Sequence, residues 1–220
     1  METSRREKWR CWFRLILGGV VVCLSFCTGS FAQENSWEAL NQQAVELYEN
    51  GRTAEATTLL QKAVNAAEKA FGSEDPRVAD SLNNLAFLYD AQGKYAEAEP
   101  LYQRSLAIRE KVLGPDHPAV AESLNNLAAL YYSRGQSERA EPLFQRALTI
   151  REKALGAEHP AIVQSLNNLG SFYEATGKYV LAERMYRQSL ALQERLLGPD
   201  HPDVGEGLIK LAGLYGAEER

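Results

Sequence analysis

Cysteine and histidine are scarce, with three of each in 220 residues. Three cysteines supply neither a disulfide framework nor a cysteine-rich zinc module. A surplus of positive charge is also missing. Lys plus Arg is 24 against 29 for Asp plus Glu, a net charge of -5. A chain built to neutralise phosphates would lean the other way, so nucleic acid is not an expected partner. No G-x-S-x-G, P-loop, H-E-x-x-H or Rossmann glycine fingerprint occurs, so nothing points to an enzyme or to a cofactor. Apolar and polar residues nowhere alternate with period two over a useful length, so no strands are expected. The remaining composition, 45% hydrophobic and 24% charged, is that of an ordinary globular protein.

The first 32 residues differ in kind from the rest. Arg5, Arg6, Lys8, Arg10 and Arg14 precede an apolar run from Leu15 to Cys27, and small residues Ser30 and Ala32 follow. A positive start, a short apolar middle and an A-x-A-like site form a secretory signal peptide, with cleavage expected after Ala32. The alternative is an uncleaved anchor in the inner membrane with the chain facing the periplasm. The apolar run is shorter than the roughly 20 residues a spanning helix wants. Ser4-Arg5-Arg6 only partly matches a twin-arginine export signal, and Leu24-Ser25-Phe26-Cys27 only partly matches a lipoprotein box. Cleavage would remove Cys11, Cys23 and Cys27 and leave a cysteine-free protein, indifferent to an oxidising compartment. Taking five basic residues from 24 and two acidic ones from 29 brings the net charge to -8. The expected location is periplasmic or secreted.

A 42-residue period fills the remainder. Pro76, Pro118, Pro160 and Pro202 keep that spacing, as do Tyr89, Tyr131, Tyr173 and Tyr215. Ser81-Leu82-Asn83-Asn84-Leu85 returns at 123 and again at 165, and residues 76–117 and 118–159 agree at 26 of 42 positions. Such self-similarity is the signature of a stacked-repeat architecture. The units run from about 34–75, 76–117, 118–159 and 160–201, with a terminal half unit at 202–220; the repeat domain is 33–220. Each unit reads as two helices. Asp75 is an N-cap with Pro76 at the first helical position. Leu82, Leu85, Ala86 and Tyr89 form one stripe, and Gly93 stops the first helix, A. The second, B, is expected from Tyr95 to Leu113, with Ala98, Leu101, Tyr102, Ser105, Leu106, Val112 and Leu113 inward. Arg109-Glu110-Lys111 and Arg151-Glu152-Lys153 read as its exposed charged face. The glycines at 205, 207, 213 and 216 read as a frayed terminal cap.

Leu85, Ala86, Tyr89, Gly93, Tyr95, Ala98 and Tyr102 stand where tetratricopeptide repeats place their packing residues. With S-L-N-N-L-A in helix A and L-G-P-D-H-P between units, the pattern resembles the kinesin-light-chain type of that family over about residues 35–220. The first unit departs from it at Leu40-Asn41-Gln42-Gln43, and Trp37 is expected to cover the first apolar face. The resemblance implies an all-α fold, a right-handed α-solenoid of helix-turn-helix units, in which the free stripe of helix A lines a concave groove. That stripe reads as Asp80, Asn83, Phe87 and Asp90 in the second unit. It continues as Glu122, Asn125, Ala129 and Tyr132, then as Gln164, Asn167, Ser171 and Glu174. A column of asparagines offers donors and acceptors to an extended peptide backbone. Asn84, Asn126 and Asn168 sit at its edge. The alternative for the asparagines is a lock between repeats. The acidic groove favours a neutral to basic protein or peptide, and a carboxylate clamp for acidic tails lacks its Lys and Arg.

His117, His159 and His201 repeat before proline. Stacked units place them on the order of 20 Å apart, given 8–10 Å between helix axes, too far to share a metal at about 2 Å bond lengths. They occupy the N-cap position of Asp75. Two function classes remain: an exported peptide-binding scaffold, or an assembly subunit of an envelope complex that docks through the ends of the solenoid.

Overall fold

The computed structural model describes residues 36–218, and the secretory-signal reading at 1–32 lies outside them. The described residues form one compact unit. Among the described residues there are nine helices and no strand. They are α1 (Trp37–Glu49), α2 (Thr53–Phe71), α3 (Pro76–Ala91), α4 (Tyr95–Leu113), α5 (Pro118–Ser133), α6 (Ser137–Leu155), α7 (Pro160–Ala175), α8 (Tyr179–Leu197) and α9 (Pro202–Glu218). None of them is long and apolar enough to cross a membrane. Odd-numbered helices are the A helices and even-numbered ones the B helices. Each A packs on its own B, and each B on the next A.

The caps explain the regular boundaries. Asp75 Oδ1 accepts from the Arg77 amide at 2.9 Å. His117 and His159 accept at Nδ1 from the amides of Ala119 and Ala161 at 3.1 Å, and His201 accepts from Asp203 at 3.2 Å. The histidines are thus N-caps holding one orphan donor each. Gly93, at φ 73°, and Gly114, at φ 91°, end α3 and α4 in a backbone region that side chains rarely adopt.

Small residues set the close crossings within each pair. Ala56, Ala98, Ala140 and Ala182 are fully buried at one position of the B helices, and Ala44, Ala86 and Ala128 face them from the A helices. Tyr102 and Phe144 fill the layer beside them, and Tyr102 is sealed so completely that burial pushes its phenol well up. Trp37 packs edge-on against Phe71 at 6.1 Å, so it covers part of the first layer.

The structure corrects three readings. Val112 is exposed rather than inward. Helix α9 runs unbroken through its glycines, and Gly207 is buried where a Cβ would stand 3.0 Å from Gln193. The third correction concerns arginine. Arg109 and Arg151 are 4% and 8% exposed, not part of a charged outer face. Their spacing follows the B-helix period, and they point into the seam between units.

Candidate functional site

Two ladders of side chains link successive units, the first across two junctions and the second across three. In the first, Nδ2 of Asn41 donates to Ser81 Oγ at 3.0 Å, and Nδ2 of Asn84 donates to Asn41 Oδ1 at 3.2 Å. One unit later Nδ2 of Asn126 donates to Asn83 Oδ1 at 2.9 Å. Asn41 stands 42 residues before Asn83, so the first unit keeps this asparagine despite its divergent sequence. In the second ladder, amides of Gln61, Gln103 and Gln145 donate to the hydroxyls of Tyr89, Tyr131 and Tyr173 at 2.7, 3.2 and 2.9 Å. The repeated tyrosines therefore bond as well as pack.

The expected groove residues divide accordingly. Asn83 and Asn125 are 2% and 1% exposed, so they do not offer an open column to a ligand. For Asn83 the lock between repeats is what the geometry shows. A helical stripe turned away from its own partner helix can still be covered by the neighbouring unit, which a single-helix periodicity does not reveal. Asn126, placed at the edge, is buried as the donor of that lock. Asn84 is half-buried and locks to Asn41.

The third junction breaks the pattern. Both amide atoms of Asn125 and Nδ2 of Asn168 are buried without a hydrogen-bond partner. Around them the same two A helices are open. Tyr132 is 38% exposed, with its ring edge-on to Phe172 of α7 at 5.7 Å. Asn167 and Glu174 are half-buried, and Ser171 is exposed. In the second unit Phe87 and Asp90 are half-buried, and Phe87 is edge-on to Tyr48 at 5.5 Å.

The charge of the face is less acidic than its composition. Arg109 Nη2 donates to Asp80 Oδ1 at 2.7 Å, and its Nη1 lies 3.7 Å from Glu122. Nη1 also donates to the Ala119 carbonyl and to Ser123 Oγ, both at 2.9 Å. Burial opposes this charge, but the carboxylates of Glu122 and Asp80 outweigh it and hold the guanidinium above its ordinary range. Arg151 makes the equivalent bonds to Ala161 and Ser165 at 3.2 and 2.8 Å. Gln164 replaces the carboxylate of the next unit, and burial lowers the basicity of Arg151 more than the Glu122 carboxylate raises it.

Glu174 differs. Among the described residues no cation pairs with it. Instead the Tyr186 hydroxyl donates to its Oε2 at 2.7 Å and shares a 3.0 Å contact with Ser171 Oγ. Burial pushes the Tyr186 phenol up, keeping it a neutral donor. The ring reaches this place because Gly170 replaces the alanine of earlier units, and a Cβ there would lie 2.7 Å from Tyr186 Cε1. Sequence reasoning missed Tyr186 and Gly170; the single break in the Ala86, Ala128, Gly170 series was the available signal. Among the described residues no cluster of His, Cys, Asp or Glu could hold a metal.

The sequence profile of the tetratricopeptide repeat family matches residues 38–111, 88–153, 138–195 and 161–220. No curated protein matches the chain. Among solved structures, a Podosopora anserina protein described as a kinesin light chain with nearly identical TPR-like repeats is similar at 31% identity. The match covers 83% of this chain and 86% of that one, with a TM-score of 0.72. A point variant of the same protein superposes at 0.73. BtubC (BKLC) from P. vanneervenii is similar at 26% identity, covering 83% of this chain and 72% of that one, TM-score 0.72. Repeats of this kind form protein–protein interaction scaffolds, and the fold is generally non-catalytic. The chain belongs to the tetratricopeptide repeat family, with kinesin-light-chain-like proteins as its structural neighbours.

Proposed function

We propose that the protein is an exported, non-catalytic scaffold that holds an extended peptide or protein segment along the A helices, centred on α5 and α7. The observation that carries this reading is the third junction. There Tyr132 and Ser171 are open and Asn167 is half-open, on the two neighbouring A helices. Tyr132 supplies a rigid aromatic anchor of the type that dominates binding energy. Glu174, without a cation, favours a neutral to basic segment.

Short synthetic peptides of graded net charge test this by fluorescence anisotropy. Neutral and basic peptides are expected to bind, and Tyr132→Ala with Asn167→Ala is expected to weaken them by about tenfold or more. Equally tight, salt-insensitive binding of acidic peptides would overturn the charge preference. Binding unmoved by the double substitution would overturn the site.

Export follows from the charged start, apolar middle and small-residue site before Gln33. It places the repeats in the periplasm or outside the cell. N-terminal mass measurement on protein recovered from the envelope is expected to begin at Gln33; a mass retaining Met1 would favour the anchored alternative.

A further inference from the structure

On the groove face, the third junction repeats the first with one ring removed. At the first, Phe87 of α3 stands edge-on to Tyr48 of α1 at 5.5 Å, and Asp90 lies one turn further along α3. Two periods later the same positions hold Tyr132 of α5 with Ser171 and Glu174 of α7. Ser171 brings no ring, and Tyr132 is left 38% exposed. The gap that Phe87 fills at the first junction is therefore open at the third, between an aromatic ring and a carboxylate.

Glu174 also stands apart from the other glutamates that meet a tyrosine hydroxyl. Tyr131 donates to Glu99 at 3.1 Å, and Glu99 also pairs with Arg134 and Arg139. Tyr215 donates to Glu183 at 2.8 Å, and Arg187 pairs with the same carboxylate at 2.8 Å. Gln145 bridges the Tyr173 hydroxyl to Glu141, which holds Lys178 at 2.6 Å. Tyr186 donates to Glu174 at 2.7 Å, and among the described residues no cation completes the set. Arg139 shows what a completed set looks like. Its guanidinium lies 3.8 Å from the centre of the Tyr131 ring while Nη2 lies 3.2 Å from Glu99 Oε1.

We propose that Tyr132, Ser171 and Glu174 form a site for one arginine side chain of the bound segment, its guanidinium stacked on Tyr132 and bonded to Glu174. The source of that arginine rests on the reading of the A helices as the binding face, and the site names the residue the segment must carry. Tyr132 and Glu174 hold one repeat position on adjacent A helices, and packed helix axes lie about 8–10 Å apart. A planar guanidinium spans that gap with a face on the ring and an edge towards the carboxylate. The Tyr186 hydroxyl occupies Oε2, which leaves Oε1 as an acceptor, and Ser171 Oγ adds another. Lysine fits less well, because an ammonium is a point charge without a flat face. Phenylalanine would fill the gap as Phe87 does, but it would set an apolar ring against Glu174.

Titration of N-acetyl-arginine methylamide into the isotope-labelled protein, followed by amide chemical shifts, tests the site. Saturable shifts are expected, largest around Tyr132, Ser171 and Glu174. The citrulline analogue, of the same shape without the charge, is expected to bind about tenfold more weakly or worse. Glu174→Gln keeps an acceptor for Tyr186, so its circular dichroism melt is expected to match the wild type while the preference for arginine disappears. Shifts that avoid these residues, that persist in Glu174→Gln, or that the citrulline or phenylalanine analogue reproduces at equal concentration would each overturn the proposal. Short peptides, uncharged apart from one arginine, separate this site from the groove reading. Peptides that depend on Tyr132 and Asn167 but bind equally with citrulline would overturn the arginine site and leave the groove standing. Failure of every peptide, with the arginine analogue still seated at Glu174, would overturn the groove reading and support the site.

Discussion

Replacing Arg109 with Ala is expected to lower stability by about 2–3 kcal/mol, the cost of losing charge-assisted hydrogen bonds inside a seam, because the guanidinium is buried although Asp80 beside it is half-exposed. For a domain of this size that corresponds to a fall of about 4–12 °C in melting midpoint. The guanidinium joins three helices: Asp80 on α3, its own α4, and Ala119 and Ser123 on α5. Without it, the Ser123 hydroxyl loses its 2.9 Å donor inside the seam, and Glu122, one of whose oxygens is already buried without a hydrogen bond, loses its nearest cation. Lys is expected to rescue little, because a point charge cannot bond Asp80 and Ser123 at once as the guanidinium fork does. Arg151→Ala is expected to cost less, about 1–2 kcal/mol, since Gln164 stands where Arg109 meets Glu122, and Glu122, the one carboxylate that acts on Arg151, keeps Arg109 at 3.7 Å. Thermal melts of the three variants check the order. A melt of Arg109→Ala within about 2 °C of the wild type, less than 1 kcal/mol, would show that the seam does not depend on the bridge.

Gly170→Val is expected to destabilise by about 2–3 kcal/mol, as overpacking of a filled core does. A Cβ at this position would stand 2.7 and 2.8 Å from two ring carbons of Tyr186, and the ring is buried and cannot swing into solvent. The ring must withdraw, and its hydroxyl then leaves Glu174 and Ser171, which are candidate groove residues. Loss of stability and loss of peptide affinity should therefore appear together. The third unit suggests the compensating pair, because Ala128 there accompanies Phe144. Gly170→Ala with Tyr186→Phe is accordingly expected to recover most of the stability while leaving Glu174 without its hydroxyl donor. If Gly170→Val melts like the wild type, the close approach of Tyr186 is not a constraint on the fold.

Much of the fold was legible because one signal, a 42-residue period, repeated several times, and each copy carried its own punctuation. Asp75 and His117 before proline start A helices, and Gly93 and Gly114 end helices, through local backbone chemistry that a sequence displays directly. The candidate site was legible only in part. Periodicity shows which stripe of an A helix turns away from its own B helix, and it located Tyr132, Asn167, Ser171 and Glu174 on accessible or half-accessible surface. It does not show what the next unit lays over that stripe, and so Asn83 and Asn125 read as open when they are sealed. Arg109 was missed for a related reason. Its neighbours Glu110 and Lys111 are on the outer side, and a charged triplet gives no sign that one member turns into the seam to meet Asp80.

The most direct test of the groove as a binding surface is photo-cross-linking with a neutral or basic peptide. A photoreactive phenylalanine derivative is placed at Tyr132 on α5 or, as a control, at Gln188 on α8, an exposed position of a B helix. The expected result is an adduct from position 132, suppressed by excess unlabelled peptide, and none from position 188. Adducts from position 188 with position 132 silent would place the partner on the outer side of the stack and contradict the assignment of the A helices as the binding face.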